Sequence, residues 1–360
     1  MAISNNHKTN LRGAIKCVVW DLDNTVWKGI LLEDVNVCLF ENIIEIIGAL
    51  DSRGILQSIA SKNEPAKVLD KLKQFGLEEY FLFPQINWNS KASSIEKIAE
   101  SLNIGLDSIA FIDDDLVELN EVKFSHPEVT CLNATSRDQI LSMPEMNPRF
   151  ITRDSRLRRK MYVSEQARKQ VEAEFVGPKE EFLASLDMKL SIGSAREEDL
   201  MRAEELTVRT NQLNTTGRTY SYDELNEYRL SDRYKLLIAG LDDRFGSYGK
   251  IGLALIECSE EVWTIKLLLM SCRIMTRGIG AVMINFIRSL AKSKNVRLIA
   301  EFIQTDRNRL MFVTYRLMGF REIQRSDDLL LLEDEMAEIP DCPPYIEMCF
   351  TDEGQAEDLL

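Results

Sequence analysis

Apolar residues fall along this chain in two patterns. Short unbroken runs bounded by turn residues read as buried strands, and runs spaced three or four apart read as amphipathic helices. In the first third the strands are 15–20, 55–60 and 108–112, with helices over 41–52, 69–75 and 92–102. Gly54 and Gly76 close the first two helices, and Pro65 suits a first helical turn. Strand and helix in alternation predict an α/β unit with a parallel sheet. From Leu190 the order changes. A short strand at 190–192 leads to helices over 197–207 and 223–229, then strands at 234–239, 251–258 and 262–270, a helix from 277 or 278 to 291, a strand at 298–303 and a helix from Asn308. The punctuation divides the chain into 1–145, a connecting helical segment 146–186, a second α/β unit 187–340 and an acidic tail 341–360.

Composition narrows the class. The 360 residues are 45% hydrophobic and 28% charged, ordinary for a globular protein of about two domains. No apolar run approaches the ~18 residues of a membrane span, and the polar start does not read as a signal peptide, so a cytoplasmic location without membrane contact is expected. The formal net charge of -14 argues against nucleic-acid partners. Seven cysteines without a CxxC pair predict neither a disulfide framework nor structural zinc, and two histidines leave little room for His-based catalysis.

The chemistry gathers where apolar runs end. The first strand runs into Asp21-Leu22-Asp23-Asn24-Thr25, and a turn starting at Asp21 would let both carboxylates face one ligand. The second strand ends in Ser61-Lys62-Asn63, where Ser61 suits either a phosphate contact or a helix cap. The third ends in Asp113-Asp114-Asp115, and three successive carboxylates repel unless they share a cation. Loop carboxylates at the strand ends of a parallel sheet are placed for catalysis.

These segments resemble the motifs of the haloacid dehalogenase (HAD) phosphatases. The resemblance implies a Rossmannoid parallel sheet, Asp21 as the nucleophile that becomes an aspartyl phosphate, and Asp23 as the acid and base. It further implies Ser61 and Asn63 against the phosphate, Lys91 holding it beside the nucleophile, and Mg2+ on Asp21, Asp23, Asp113 and Asp114, with Glu118 orienting them. The motifs lie too close together for a large cap, so bulky or macromolecule-tethered phosphates are the expected substrates.

The connector carries Arg153, Arg156, Arg158, Arg159, Lys160, Arg168 and Lys169 in an otherwise acidic chain. Such a run reads equally as the solvated face of a helix and as a docking patch for an acidic partner. Beyond it, strand, glycine-bearing turn, helix and strand, followed by Asn308, Tyr315 and Gly319-Phe320 on a last helix, resemble the GNAT acyltransferases. There the turn before the long helix presents N–H groups to a pyrophosphate. Gly278 and Gly280 fit that turn, but its first place falls on Met275 instead of Gln or Arg, which argues against CoA as donor.

Arg209-Thr210-Asn211-Gln212-x-Asn214, Asp243-Arg244-Phe245-Gly246 and Met270-Ser271-Cys272-Arg273-x3-Arg277-Gly278 together resemble the FkbH-like glyceryl transferase/phosphatases of polyketide biosynthesis. That likeness implies D-1,3-bisphosphoglycerate as substrate, capture of its acyl group on a cysteine, removal of the remaining phosphate, and delivery of glycerate to the phosphopantetheine thiol of an acyl carrier protein. Cys272 suits the nucleophile, because a strand-to-helix turn and the flanking Arg273 and Arg277 favour a thiolate. A buried, inert cysteine is the plain alternative. Asn211, Gln212 and Asn214 could bind an acyl oxygen or glycerate hydroxyls, or simply form a polar loop, and the glycines from Gly246 to Gly252 suit a hairpin that brings backbone close to a ligand, or simply a turn. Two rival readings remain: a stand-alone phosphatase with a partner-binding second half, and a CoA-dependent acyltransferase.

Overall fold

The computed structural model describes residues 14–34, 36–210, 212–275, 277–335 and 338–350. The chain forms two compact units, Met1–Val163 and Ser164–Leu360.

In the first unit, β1 (Cys17–Trp20) is followed by a two-residue ladder of β2 (Trp27–Lys28) and β3 (Cys38–Leu39). Then come α1 (Ile43–Ser52), β4 (Leu56–Ser61), α2 (Pro65–Gln74), β5 (Gln85–Ile86), α3 (Lys91–Leu102), β6 (Ile109–Asp113), α4 (Leu116–Ser125) and β7 (Thr130–Asn133). The five sheet strands are all parallel, in the order β5-β4-β1-β6-β7. A fully covered parallel sheet requires apolar residues on both faces, and β1 supplies them by alternation. Val18 and Trp20 pack with α1 and α2, and Cys17 and Val19 pack with α3 and α4. The one polar link in the first of these layers is satisfied: Trp20 donates to Gln57 (3.1 Å), which donates to the carbonyl of Ile47 (2.9 Å).

α5 (Arg153–Glu174) spans the division between units. Three cations of the connector's basic run make contacts within their own unit. In the first unit Arg158 donates to the carbonyl of Gly54 (2.8 Å), and Arg159 pairs with Asp51 (3.0 Å) and Glu79 (2.9 Å). In the second, buried Arg168 grips Asp243 with two hydrogen bonds, at 2.6 and 2.8 Å.

The second unit continues with α6 (Lys179–Ala184), β8 (Met188–Ser194), α7 (Leu200–Arg209), α8 (Tyr222–Leu230), β9 (Tyr234–Asp243), β10 (Gly246–Cys258) and β11 (Val262–Met270). α9 (Ile279–Ser293), β12 (Arg297–Ile303), α10 (Arg309–Leu317), β13 (Phe320–Ser326), β14 (Leu329–Asp334) and β15 (Ile346–Phe350) complete it. Eight strands lie in the order β13-β14-β12-β11-β10-β9-β8-β15, antiparallel except for β11/β12 and β8/β15. α6, α9 and α10 cover one face, and α7 and α8 the other. The fold class is therefore α/β in both units, as the alternation of elements predicts.

Two edge strands lie outside the sequence reading. β13 buries only Phe320, so it carries no hydrophobic period. β15 falls in the stretch read as an acidic tail, yet it pairs in parallel with β8 and buries Ile346. Among the described residues no helix is long and apolar enough to cross a membrane.

Candidate functional site

In the first unit the site grows from the C-terminal ends of β1, β4 and β6. After Asp21 the chain wraps around one acceptor: Thr25, Val26 and Trp27 all donate their N–H to the carbonyl of Leu22 (3.1, 2.9 and 3.2 Å), and Asn24 is left-handed. This is the turn that lifts Asp23 out of strand alternation. Asp21 is buried and pinned by its N–H to the carbonyl of Ile112 (2.8 Å).

Lys91 opens α3, where a lone lysine would ordinarily reach solvent. Instead it is 3% exposed. Its ammonium bonds to Asp21 and to the carbonyl of Ala60 (2.6 Å), and lies 3.2 Å from Asp113 Oδ2. That Oδ2 is buried with the Lys91 ammonium as its ionic partner, while Oδ1 accepts from the N–H of Asp115 (2.9 Å). Asp21, Asp113 and Asp114 each offer an oxygen, all within 4.8 Å of one another. At that spacing two carboxylates repel by about 3 kcal/mol at an effective dielectric of about 20. One ammonium against three carboxylates leaves an excess of negative charge, and burial alone already raises these acids. Asp21 is raised to about 7, mainly by burial and further by Asp113, with Lys91 opposing. Asp113 and Asp114 are raised too, burial again the largest cause. A pocket of carboxylate oxygens with surplus negative charge fits a hard divalent cation such as Mg2+.

Asp23, expected among the metal ligands, is not in that cluster. Its Oδ1 accepts from the indole N–H of Trp27 (2.7 Å) and the N–H of Leu31 (3.0 Å), and its Oδ2 from Asn63 Nδ2 (2.9 Å). Three donors hold this carboxylate beside the cluster and not within it. Asn63, expected against phosphate, is thereby a buried partner of Asp23. Ser61 closes β4, also buried. Glu118, on the first turn of α4, pairs with Lys62 (2.6 Å).

In the second unit β11 delivers Ser271 and the half-buried Cys272 to a short turn before α9, and the N–H of Ser271 donates to the carbonyl of Ile251 (2.6 Å). The two arginines expected beside the thiol are engaged elsewhere. Arg273 donates to the carbonyl of Tyr248 (2.9 Å) and to Ser271 Oγ (3.3 Å). Arg277 is 1% exposed and pairs with Glu172 (3.1 Å) and Glu165 (3.8 Å), so its charge is balanced by carboxylates from α5. Gly278 caps α9 at φ 78°, a conformation that favours glycine. Both histidines of the chain lie outside this unit. Burial pushes the Cys17 thiol well up and that of Cys258 to about 11, which leaves neither suited to attack.

Of the expected amides, Asn211 lies outside the described residues. Asn214 braces its own loop: its Oδ1 accepts from the N–H groups of Thr216 (3.1 Å) and Gly217 (2.9 Å). Gln212 keeps a buried, unpaired Oε1. The sequence reading did not single out Trp27 as a partner of Asp23, Asp243 as the anchor of Arg168, or Asn308 as a clamp. Each works through a contact that no local pattern marks.

No family model matches the sequence, and no curated protein matches it. Solved structures do. The phosphatase-containing N-terminal part of protein BF1531 from Bacteroides fragilis, complexed with Mg, is 29% identical over 38% of this chain and 41% of its own, at a TM-score of 0.34. This chain thus spans well under two thirds of that protein's length. The ribosomal-protein-S18-alanine N-acetyltransferase from Escherichia coli is 13% identical over 42% of this chain and 97% of its own, at 0.34. The 3-deoxy-D-manno-octulosonate 8-phosphate phosphatase from Moraxella catarrhalis, in complex with magnesium ion, phosphate ion and KDO, is 22% identical over 31% and 64%, at 0.26.

Proposed function

We propose that the chain is a bifunctional enzyme, a phosphohydrolase in its first unit and an acyltransferase in its second. The observation that carries the first activity is Lys91 buried between Asp21 and Asp113, with Asp23 held two residues beyond the nucleophile. Asp21 attacks the phosphorus of a phosphomonoester. The bond to the leaving oxygen breaks, that oxygen takes a proton from Asp23, and an aspartyl phosphate remains. Asp23 then takes a proton from water as the water oxygen attacks phosphorus, which frees Asp21 and inorganic phosphate. Lys91 holds the phosphoryl oxygens in line with Asp21 throughout. Mg2+, held by Asp21, Asp113 and Asp114, would neutralise charge on phosphate and carboxylates.

For the second activity, the Cys272 thiolate attacks the acyl carbon of D-1,3-bisphosphoglycerate, the bond from that carbon to the anhydride oxygen breaks, and inorganic phosphate leaves, so that a 3-phosphoglyceryl thioester remains. The thiolate of a carrier protein's phosphopantetheine arm displaces Cys272 and carries the acyl group away. A mixed anhydride is already activated, so loading needs no ATP. The half-buried Cys272 at a strand-to-helix turn and the buried acceptor on Gln212 support this reading.

Intact-mass analysis of wild type and Cys272→Ala, exposed to a bisphosphoglycerate source with Mg2+, tests the scheme. A glyceryl or phosphoglyceryl adduct is expected on wild type and none on the variant. Phosphate release from 3-phosphoglycerate with no adduct on either protein would instead favour the stand-alone phosphatase.

A further inference from the structure

The parallel strands β11 and β12 pair only from Val262/Arg297 to Ile265/Ala300. β11 nevertheless continues to Met270 and β12 to Ile303. The parting begins at a bulge. Against β10, Ile265 opposes Ile256 and Leu267 opposes Leu255, so Lys266 is the extra residue. A bulge bends and twists the strand that carries it, and β11 leaves its neighbour at that point.

A parting of two strands exposes a row of edge N–H and C=O groups, which an extended arm bearing amides can enter as an added strand. A pantetheine arm has two amides, and α9 begins nine residues beyond the end of β11. In this protein the edge is already taken. Thr215 donates its N–H to the carbonyl of Leu268 (3.0 Å), and its hydroxyl oxygen accepts from the N–H of Leu268 (3.0 Å). Met270 donates to the carbonyl of Leu213 (2.9 Å), and Asn214 opposes Leu269 in an antiparallel bridge. On the other side Ile303, at the end of β12, donates to the carbonyl of Thr215 (3.0 Å). Asn308 clamps the insert: its Nδ2 donates to the carbonyls of Asn214 (3.0 Å) and Ile303 (2.8 Å). Leu213, Asn214, Thr215 and Asn308 are all buried. Displacing the segment would leave these buried groups without partners, each at the cost of an unmade hydrogen bond.

We infer that Leu213–Thr215 is a built-in strand that closes the parting of β11 and β12 to a pantetheine arm, with Asn308 as its positioning residue. The acyl donor of this unit is therefore a small activated acid without a CoA arm, and a carrier arm reaches the Cys272 turn from outside the parting. The closure itself does not depend on acylation of Cys272.

The test is amide hydrogen exchange on the full chain, alone and with millimolar CoA or acetyl-CoA, paired with calorimetric titration of the same two compounds. The amides of Thr215, Leu268, Met270 and Ile303 are expected to be strongly protected in both conditions, with no binding heat. Exchange at the rate of open loops, or altered protection with CoA, would overturn the closure. CoA binding tighter than millimolar at any place would overturn the donor assignment. Asn308→Ala should speed exchange of Thr215 and Ile303 by roughly tenfold or more while leaving β8 unchanged. Should that variant not fold, Thr215→Val, which removes the hydroxyl that accepts the Leu268 N–H, should speed Leu268. Unchanged exchange in a folded variant would remove the clamp. Absence of a Cys272 adduct would leave all of these readouts in place, so the closure and the covalent mechanism fail separately.

Discussion

The indole N–H of Trp27 donates to Oδ1 of Asp23 at 2.7 Å. The donor sits four residues beyond the carboxylate, on the first strand of the small β2/β3 ladder, and its ring is fully buried. The ladder and the turn around the carbonyl of Leu22 thereby aim the second carboxylate of the site, while the N–H of Asp21 on the carbonyl of Ile112 fixes the first.

Trp27→Phe keeps an aromatic ring and removes the donor. A hydrogen bond to a charged group contributes about 1.5 to 3 kcal/mol, so phosphatase kcat should fall roughly 10- to 100-fold. Because Asp23 also activates water, the aspartyl phosphate should persist longer, and rapid quench can read its accumulation. Wild-type turnover in a folded Trp27→Phe protein would mean that the indole does not position Asp23.

Lys91→Met removes the ammonium bonded to Asp21 and takes the compensating charge from three neighbouring carboxylates. Breaking a buried pair costs about 3 to 5 kcal/mol. The variant should melt lower than wild type without Mg2+, recover part of the loss when Mg2+ is added, and show no phosphatase turnover. Calorimetry with and without the cation checks this, and a melting point that Mg2+ does not move in either protein would argue against the carboxylate cluster as its site.

Burial raises Asp21 to about 7 in the cation-free fold. Unfolded, an aspartate titrates near about 4. Between those values the folded chain binds more protons than the unfolded one, so this group's contribution to stability is present below about 4 and is lost as pH rises towards 7. A cation needs the deprotonated carboxylates, so its stabilisation grows over the same window. The Mg2+-induced rise in Tm should be larger at pH 8 than at pH 5, and equal rises would count against the assignment.

Arg168 and Asp243 form a buried bidentate pair, to which Tyr248 adds a hydroxyl donor at 3.0 Å. Asp243→Leu or Arg168→Met alone should cost about 3 to 5 kcal/mol, since each leaves a buried charge without its bidentate partner. The double variant Arg168→Met/Asp243→Leu should be less destabilised than the sum of the two single losses. Urea unfolding of all four proteins gives the coupling, and strict additivity would show that the pair does not act as a unit.

How much of this was legible beforehand follows from the range of each interaction. The strand ends carrying Asp21, Ser61 and Asp113 were readable because an apolar run stopping at a carboxylate or hydroxyl is a local pattern, and β1, β4 and β6 end where those runs stop. The long strand β11 and its hand-over to Cys272 were readable for the same reason. Edge strands β13 and β15 were not, because only one residue in each is buried and no period results.

The order of residues along the chain thus determined two α/β units, a parallel sheet in the first, and carboxylates at its strand ends, since hydrophobic periodicity and turn chemistry act between near neighbours. Only the tertiary structure decided which charges meet. Lys91 reaches Asp21 across 70 positions, Asn63 reaches Asp23 across 40, and Arg168 reaches Asp243 across 75. It also turned Arg277 towards Glu172 and placed Leu213–Thr215 beside β11, where Thr215 meets Leu268 across 53 positions. Such contacts depend on burial and on the three-dimensional direction of side chains, which spacing along the chain does not encode.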